Sequence, residues 1–239
     1  MNASHWLLVF YSAGAGACIV IGGALAGMAR FQRDWLEQEF RHFVIALGGG
    51  ILAGAVAMVL VPEALTAMDY SLGAIALFLS GGLLFFLLEQ QLGVRKKAAP
   101  QLTGMLLDYL PESLALGGII ASGSSDAALL AILIGLQNLP EGFNAFRELQ
   151  DAGHSRRNIL LLMLVLIPLG PLFAVLGYSV LAGQEMALGS VLLLASGGIL
   201  YLIFQDIAPQ AKLEKHWGPP LGAVIGFALA MLGTILTQS

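Results

Sequence analysis

The stretch Leu136–Phe146, LQNLPEGFNAF, places a proline and a glutamate inside a run that is otherwise apolar enough to lie in a lipid bilayer. Upstream, Leu107–Gly118 reads LDYLPESLALGG and makes nearly the same interruption. Asp108 and Glu112 are four residues apart, as are Gln137 and Glu141, so each pair occupies one face of a helix. A carboxylate near the centre of a membrane helix costs about 2.5–3.5 kcal/mol, so Asp108, Glu112 and Glu141 together cost roughly 8–10 kcal/mol if left alone. Two such interruptions require a common explanation.

The rest of the chain shows that the medium is a membrane. Of 239 residues, 58% are hydrophobic, 11% are charged and 30 are glycine, a balance that excludes an ordinary soluble domain. Continuous apolar runs without period-two alternation predict helices and not a barrel. Eight spans are expected, at residues 7–29, 43–61, 72–88, 102–121, 127–146, 159–182, 186–207 and 220–236. They make residues 1–239 a single transmembrane domain, an all-α integral membrane protein. The first run lacks the basic n-region of a signal peptide and reads as span one. Cys18 is the sole cysteine, so no intrachain disulfide is available.

All eleven Lys and Arg residues fall in the first, third, fifth and seventh connections. The opposite connections, TAMDYS, SGSSD and AGQEM, carry only acids. The excess of basic residues on one side makes that side cytoplasmic and puts both termini outside, as in a multi-pass protein of the cell membrane. The formal charge of −4 is spread over loops and buried sites and points to no nucleic-acid partner.

The sequence also repeats itself. GGGIL at Gly48–Leu52 returns as SGGIL at Ser196–Leu200, Pro62 matches Pro209, and LGAIA from Leu72 matches LGAVI from Leu221. The copies are separated by an odd number of spans, so spans one to three and six to eight form an inverted repeat around spans four and five, a pattern known from secondary transporters. Span four runs outward and span five inward. At about 1.5 Å per residue, Glu112 and Gln137 share a depth roughly 15 Å from the cytoplasmic boundary, and Asp108 and Glu141 a depth roughly 8–9 Å from it. Pro111 and Pro140 withhold an N–H beside these acids, which frees carbonyls near Leu107 and Leu136 and predicts a kink in each helix.

With no Lys, Arg or His in the spans, the acids must be protonated, hydrated or neutralised by a bound cation. A divalent cation meets the need best, because two or three carboxylates and an amide match its charge and its oxygen preference. Protonated acids bonded to one another are the alternative. Glu63, at the outer end of span two, suits an outer vestibule, and Asp206, near the inner end of span seven, an exit route.

QNLPEG at Gln137–Gly142 resembles the PEG-containing signature of the ZIP family of divalent-metal transporters, LDYLPES its sister motif, and YLIFQDIAP in span seven the family's acid-then-proline segment. The resemblance covers nearly the whole chain. It implies a metal site on spans four and five with Asp108, Glu112, Gln137 and Glu141 as principal ligands, Asn138 and Asp206 in a secondary site beside it, and passage of metal into the cytoplasm. The metal is substrate, with zinc, ferrous iron and manganese the candidates, and no organic cofactor is implied. Asp108 and Gln137 stand where the family commonly has histidine, Tyr109 where it often has asparagine, and Asn138 where it often has an acid. An all-oxygen set of ligands suits manganese, ferrous iron, calcium or magnesium better than zinc. Beyond lipid and cation, the sequence is open to a homodimer but demands none. The chain is not expected to be an enzyme. The other readings are an intramembrane protease using Asp108 and Asp206, a proton-linked solute carrier that keeps the fold without metal transport, and a metal sensor.

Overall fold

The computed structural model describes residues 3–29, 34–93, 100–213 and 217–238, and all regular structure among them is helical. Arg30, Arg33, Arg95, Lys96, Lys97, Lys215 and His216 lie outside the described residues. In chain order the helices are α1 (Ala3–Met28), α2 (Asp34–Ala55), α3 (Val61–Ala67), α4 (Gly73–Gly93), α5 (Pro100–Ser122), α6 (Ala127–Asp151), α7 (Arg156–Leu166), α8 (Leu169–Leu181), α9 (Glu185–Leu202), α10 (Ala208–Ala211) and α11 (Leu221–Gln238).

Among the described residues, six helical runs are long and apolar enough to cross a membrane: His5–Met28, Gln38–Ala67, Gly73–Gln91, Gln101–Ser122, Arg156–Leu181 and Glu185–Ala211. They mark an integral membrane protein. The other two expected spans differ for distinct reasons. At 25 residues α6 has the length, but from Gln137 onward it carries Gln137, Asn138, Glu141, Asn144, Arg147 and Glu148. The C-terminal helix is apolar but short, over Leu221–Thr237.

Prolines shape the runs in ways the apolar pattern does not predict. A π-helical turn at Val56–Leu60 joins α2 to α3, and a second at Ile203–Ile207 joins α9 to α10. The Val61 N–H bonds back to the Val56 carbonyl, and that of Ala208 to the Ile203 carbonyl. Pro62 and Pro209 follow at once and have no N–H to donate, so a widened turn shifts the hydrogen-bond ladder past them. Both runs thereby extend beyond their expected ends, to Ala67 and Ala211. The expected sixth span is divided between α7 and α8 at Ile167–Pro168, because Pro168 and Pro171 each remove a donor. By contrast α5 continues unbroken through Pro111 and α6 through Pro140.

Four helix pairs carry most of the packing: α1 with α6, α5 with α8, α2 with α11, and α4 with α9. Each is built on glycines pressed against the partner's carbonyls. A Cβ added to Gly117 would lie 1.9 Å from the Ala174 carbonyl oxygen, and one on Gly177 would lie 2.0 Å from that of Leu114. Gly22 and Gly142 do the same for α1 and α6, Gly50 and Gly226 for α2 and α11, and Gly81 and Gly197 for α4 and α9. In lipid, where apolar burial does not drive helices together, such close approach supplies dispersion contacts and Cα–H···O contacts. Around these seams α1, α5, α6 and α7–α8 form one group, and α2–α3, α4, α9–α10 and α11 the other.

Gly117→Ala should therefore lower stability by about 1–3 kcal/mol, the usual overpacking cost, with more for Gly117→Val. Gly14→Ala, where a Cβ meets nothing within 4 Å, should leave it unchanged. Thermal unfolding in detergent compares the two.

Candidate cation site between α5 and α6

The two interrupted motifs face each other. Glu112 is fully buried and Asp108 is 3% exposed, while Gln137 and Asn138 are fully buried on α6. Across the gap, the Gln137 side-chain amide donates to Glu112. One turn away on each helix, Asp108 and Glu141 lie within reach of one another's charge, and Asp206 lies near enough to act on Asp108.

Oxygen acceptors outnumber donors here. Asp108 Oδ1, Glu112 Oε1, Gln137 Oε1 and both Glu141 carboxyl oxygens are buried with no N–H or hydroxyl donor, and the Asp108 and Glu141 carboxyls approach each other closely enough to share a proton. Buried acceptors are normally satisfied, because leaving one without a partner costs about 1–3 kcal/mol, and more for a charged group. Five together on two facing helices form a site that lacks positive charge. Among the described residues, no three Asp, Glu, His or Cys side chains converge closely enough to hold a metal by themselves. In this arrangement Glu112 is held by Gln137, and Asp108 and Glu141 face a separate small cavity.

That cavity has about 40 Å³ of free space, and its polar lining is Gln101, Asp108, Glu141, Asp206 and Gln210. The volume suits a few waters, or a cation that has given up most of its hydration shell to the lining oxygens. Its walls come from α2, α5, α6 and the α9–α10 run, so it lies where the two helix groups meet. Gln101 donates its side-chain amide to Gln210 at the inner edge of the cavity. Beyond them is a wider polar recess lined by Gln38, Arg41, His42, Glu148 and Asp151 among others. Arg41 and Asp151 form an ion pair there at 3.2 Å. Glu148 accepts the Gln101 N–H at 2.9 Å and so satisfies an orphan donor at the start of α5. Burial pushes its carboxyl above the usual range, partly offset by the N–H groups of Gln101 and Leu102 and by Arg41.

The remaining candidates are placed elsewhere. Asn138 donates to the Ala15 carbonyl of α1 at 2.8 Å, away from the cavity. Asn144 donates to the Pro140 carbonyl at 2.8 Å, which occupies a backbone acceptor in the α6 motif. Pro140 itself lines the cavity beside Glu141, whereas Pro111 does not. Glu63 lies on the far side of the fold, near Ser124 and Asp126 of the α5–α6 connection.

Three residues gain importance from the structure. Gln101 and Gln210 bridge the two helix groups at the edge of the cavity. Tyr109, next to Asp108, is fully buried, and its hydroxyl occupies the space that a Cβ at Gly16 or Gly170 would fill. The signal for Tyr109 lies in the sequence as small residues in α1 and α8, but only the fold shows that they flank one ring.

No protein-family model matches the chain, and no curated protein sequence matches it. The geometry above and the motifs that fill it must carry the functional reading.

Replacing Gln137 by Ala should destabilise the metal-free protein by about 1–3 kcal/mol, because Glu112 loses its donor. Glu112→Gln should raise the melting temperature of the same metal-free protein, since it removes a buried charge. Melting curves recorded with a chelator present test both.

Proposed function

We propose that the chain is a ZIP-like transporter that moves divalent metal cations across the cell membrane toward the cytoplasm. The observation that carries this reading is the set of five acceptor oxygens without an N–H or hydroxyl donor on Asp108, Glu112, Gln137 and Glu141. A divalent cation supplies the missing charge and takes oxygen ligands of this kind, and in this reading its binding draws the Asp108–Glu141 and Glu112–Gln137 pairs, apart in the present arrangement, toward one ion. Protons are the alternative counter-charge, one on Glu112 beside Gln137 and one shared by Asp108 and Glu141, and the uptake measurement below separates the two readings.

In this reading the membrane topology is eight spans with both termini outside, and spans one to three are related to six to eight by an inverted repeat. Two features support the repeat. The π-helical turns at Val56–Leu60 and Ile203–Ile207 each precede a matched proline, Pro62 or Pro209. Exchanging α1 with α7–α8, α2–α3 with α9–α10, α4 with α11 and α5 with α6 also maps each of the four principal helix pairs onto another. The site lies on α5 and α6, the two helices this exchange interchanges.

Transport follows from the boundary between the two helix groups. The cation exchanges water for carboxylate and amide oxygens, with Asp108 and Glu141 in the cavity and Glu112 with Gln137 behind them. Asp206 extends the acidic surface toward the inner edge. Release to the cytoplasm requires the Gln101–Gln210 bridge to part, because those residues separate the cavity from the recess beyond. Glu63, near Ser124 and Asp126, stands at the opposite, outer side as an acidic approach. An oxygen-only donor set favours manganese and ferrous iron over zinc.

Uptake into proteoliposomes, measured for zinc, ferrous iron, manganese, cadmium, magnesium and calcium, tests the proposal. Asp108→Ala and Glu141→Ala should each cut uptake at least 10–100-fold, since a ligand's loss should exceed that of a supporting residue. Absence of uptake of all six metals by folded wild-type protein overturns the reading and leaves a carrier of another solute on the same fold.

A further inference from the structure

An open groove of about 600 Å³ lies between α2, the α9–α10 run and α11, floored by small residues such as Gly50, Ala53, Ala223 and Ala228. Its lining is apolar except at one end, where Lys212 follows α10. Lys212 is exposed and forms no ion pair with another described residue. We infer that this groove binds one anionic phospholipid of the inner leaflet, with an acyl chain along α11 and the headgroup against Lys212.

Length, charge and side agree on this occupant. Along α11 the lining runs from Pro220 to Met231. At about 1.5 Å per residue that is roughly 16 Å, about half of a 30 Å hydrocarbon core and so the depth of one leaflet. The cation stands at the mouth, where a headgroup phosphate would lie, and on the side bearing the basic residues, which faces the anionic leaflet. A second copy of the chain would need an apolar ridge to fill the groove and an acid to meet Lys212, whereas a lipid carries both parts in one molecule.

The groove and the cation cavity share a wall. Gly49 and Ile207 line both, and a Cβ on Gly49 would lie 2.6 Å from the Ile207 methyl. A chain seated in the groove therefore packs against the π-helical turn that carries Asp206.

Native mass spectrometry of the detergent-purified full chain, titrated with phosphatidylglycerol or phosphatidylcholine of equal chain length, tests the inference independently of transport. Wild-type protein should bind the first lipid molecule roughly fivefold more tightly as phosphatidylglycerol, the value of one lysine near an anionic surface. Lys212→Gln should remove that preference while leaving chain binding intact. Ala228→Trp fills the groove from an exposed position and should abolish first-site binding of both lipids without lowering the melting temperature of lipid-free protein. Equal binding of the two lipids by wild-type protein, or a preference that survives both substitutions, overturns the inference. A change in oligomeric mass on Ala228→Trp with lipid binding unchanged assigns the groove to a second copy of the chain and overturns it too.

Discussion

Burial of carboxylates without donors is the constraint on which the rest of this structure depends. Asp108, Glu112 and Glu141 are held on two facing helices, and the one donor that reaches them from the facing helix is the Gln137 amide. The metal-free protein bears an energetic cost that the remainder of the fold must offset. Under the proposed function that cost falls where the cation binds, so an unfavourable feature of the empty site would be returned as affinity for the ion. A site fully satisfied by its own donors would be more stable and would bind nothing.

The glycine seams supply the rigidity that holds this cost. Four pairs of helices approach closely enough that a methyl group on either side would strike a carbonyl oxygen. They tie α1, α5, α6 and α8 into one group and α2, α4, α9 and α11 into another, while the contacts between groups run mainly through α2 with α6 and α5 with α9. The cavity lies on that boundary, where the polar bridges Gln101–Gln210 and Arg41–Asp151 join glycine-to-side-chain contacts such as Gly48 against Pro140. Tight packing within each group and polar, reversible contact between them is the arrangement that rigid-body motion needs.

Much of this was legible in the sequence, for physical reasons that also set the limit. Glu112 and Gln137 stood out because polar residues are costly in an apolar run, and i, i+4 spacing put each with its neighbour on one face. The glycine count was visible as a departure from a soluble domain, but not which carbonyl each glycine would meet. The matched prolines at 62 and 209 were visible, but the π-helical turns before them were not, because they answer a backbone donor count that no apolar pattern records. The break at Pro168 was lost in a run that hydropathy alone makes continuous. No motif marks Gln101 or Gln210, and their pairing across 109 positions exists only in the folded chain. The polar stretch of α6 from Gln137 onward, which includes Glu141, is also what lowers its apolar character as a membrane span.

The most direct measurement is anomalous X-ray diffraction from crystals of the chain grown with manganese. A peak between α5 and α6, within about 2.0–2.6 Å of oxygens from Asp108 and Glu141, is the result this account predicts, with loss of the peak in Glu141→Gln crystals. A fully ordered α5–α6 site with water in place of metal at saturating manganese, or a peak confined to surface acids, would contradict it.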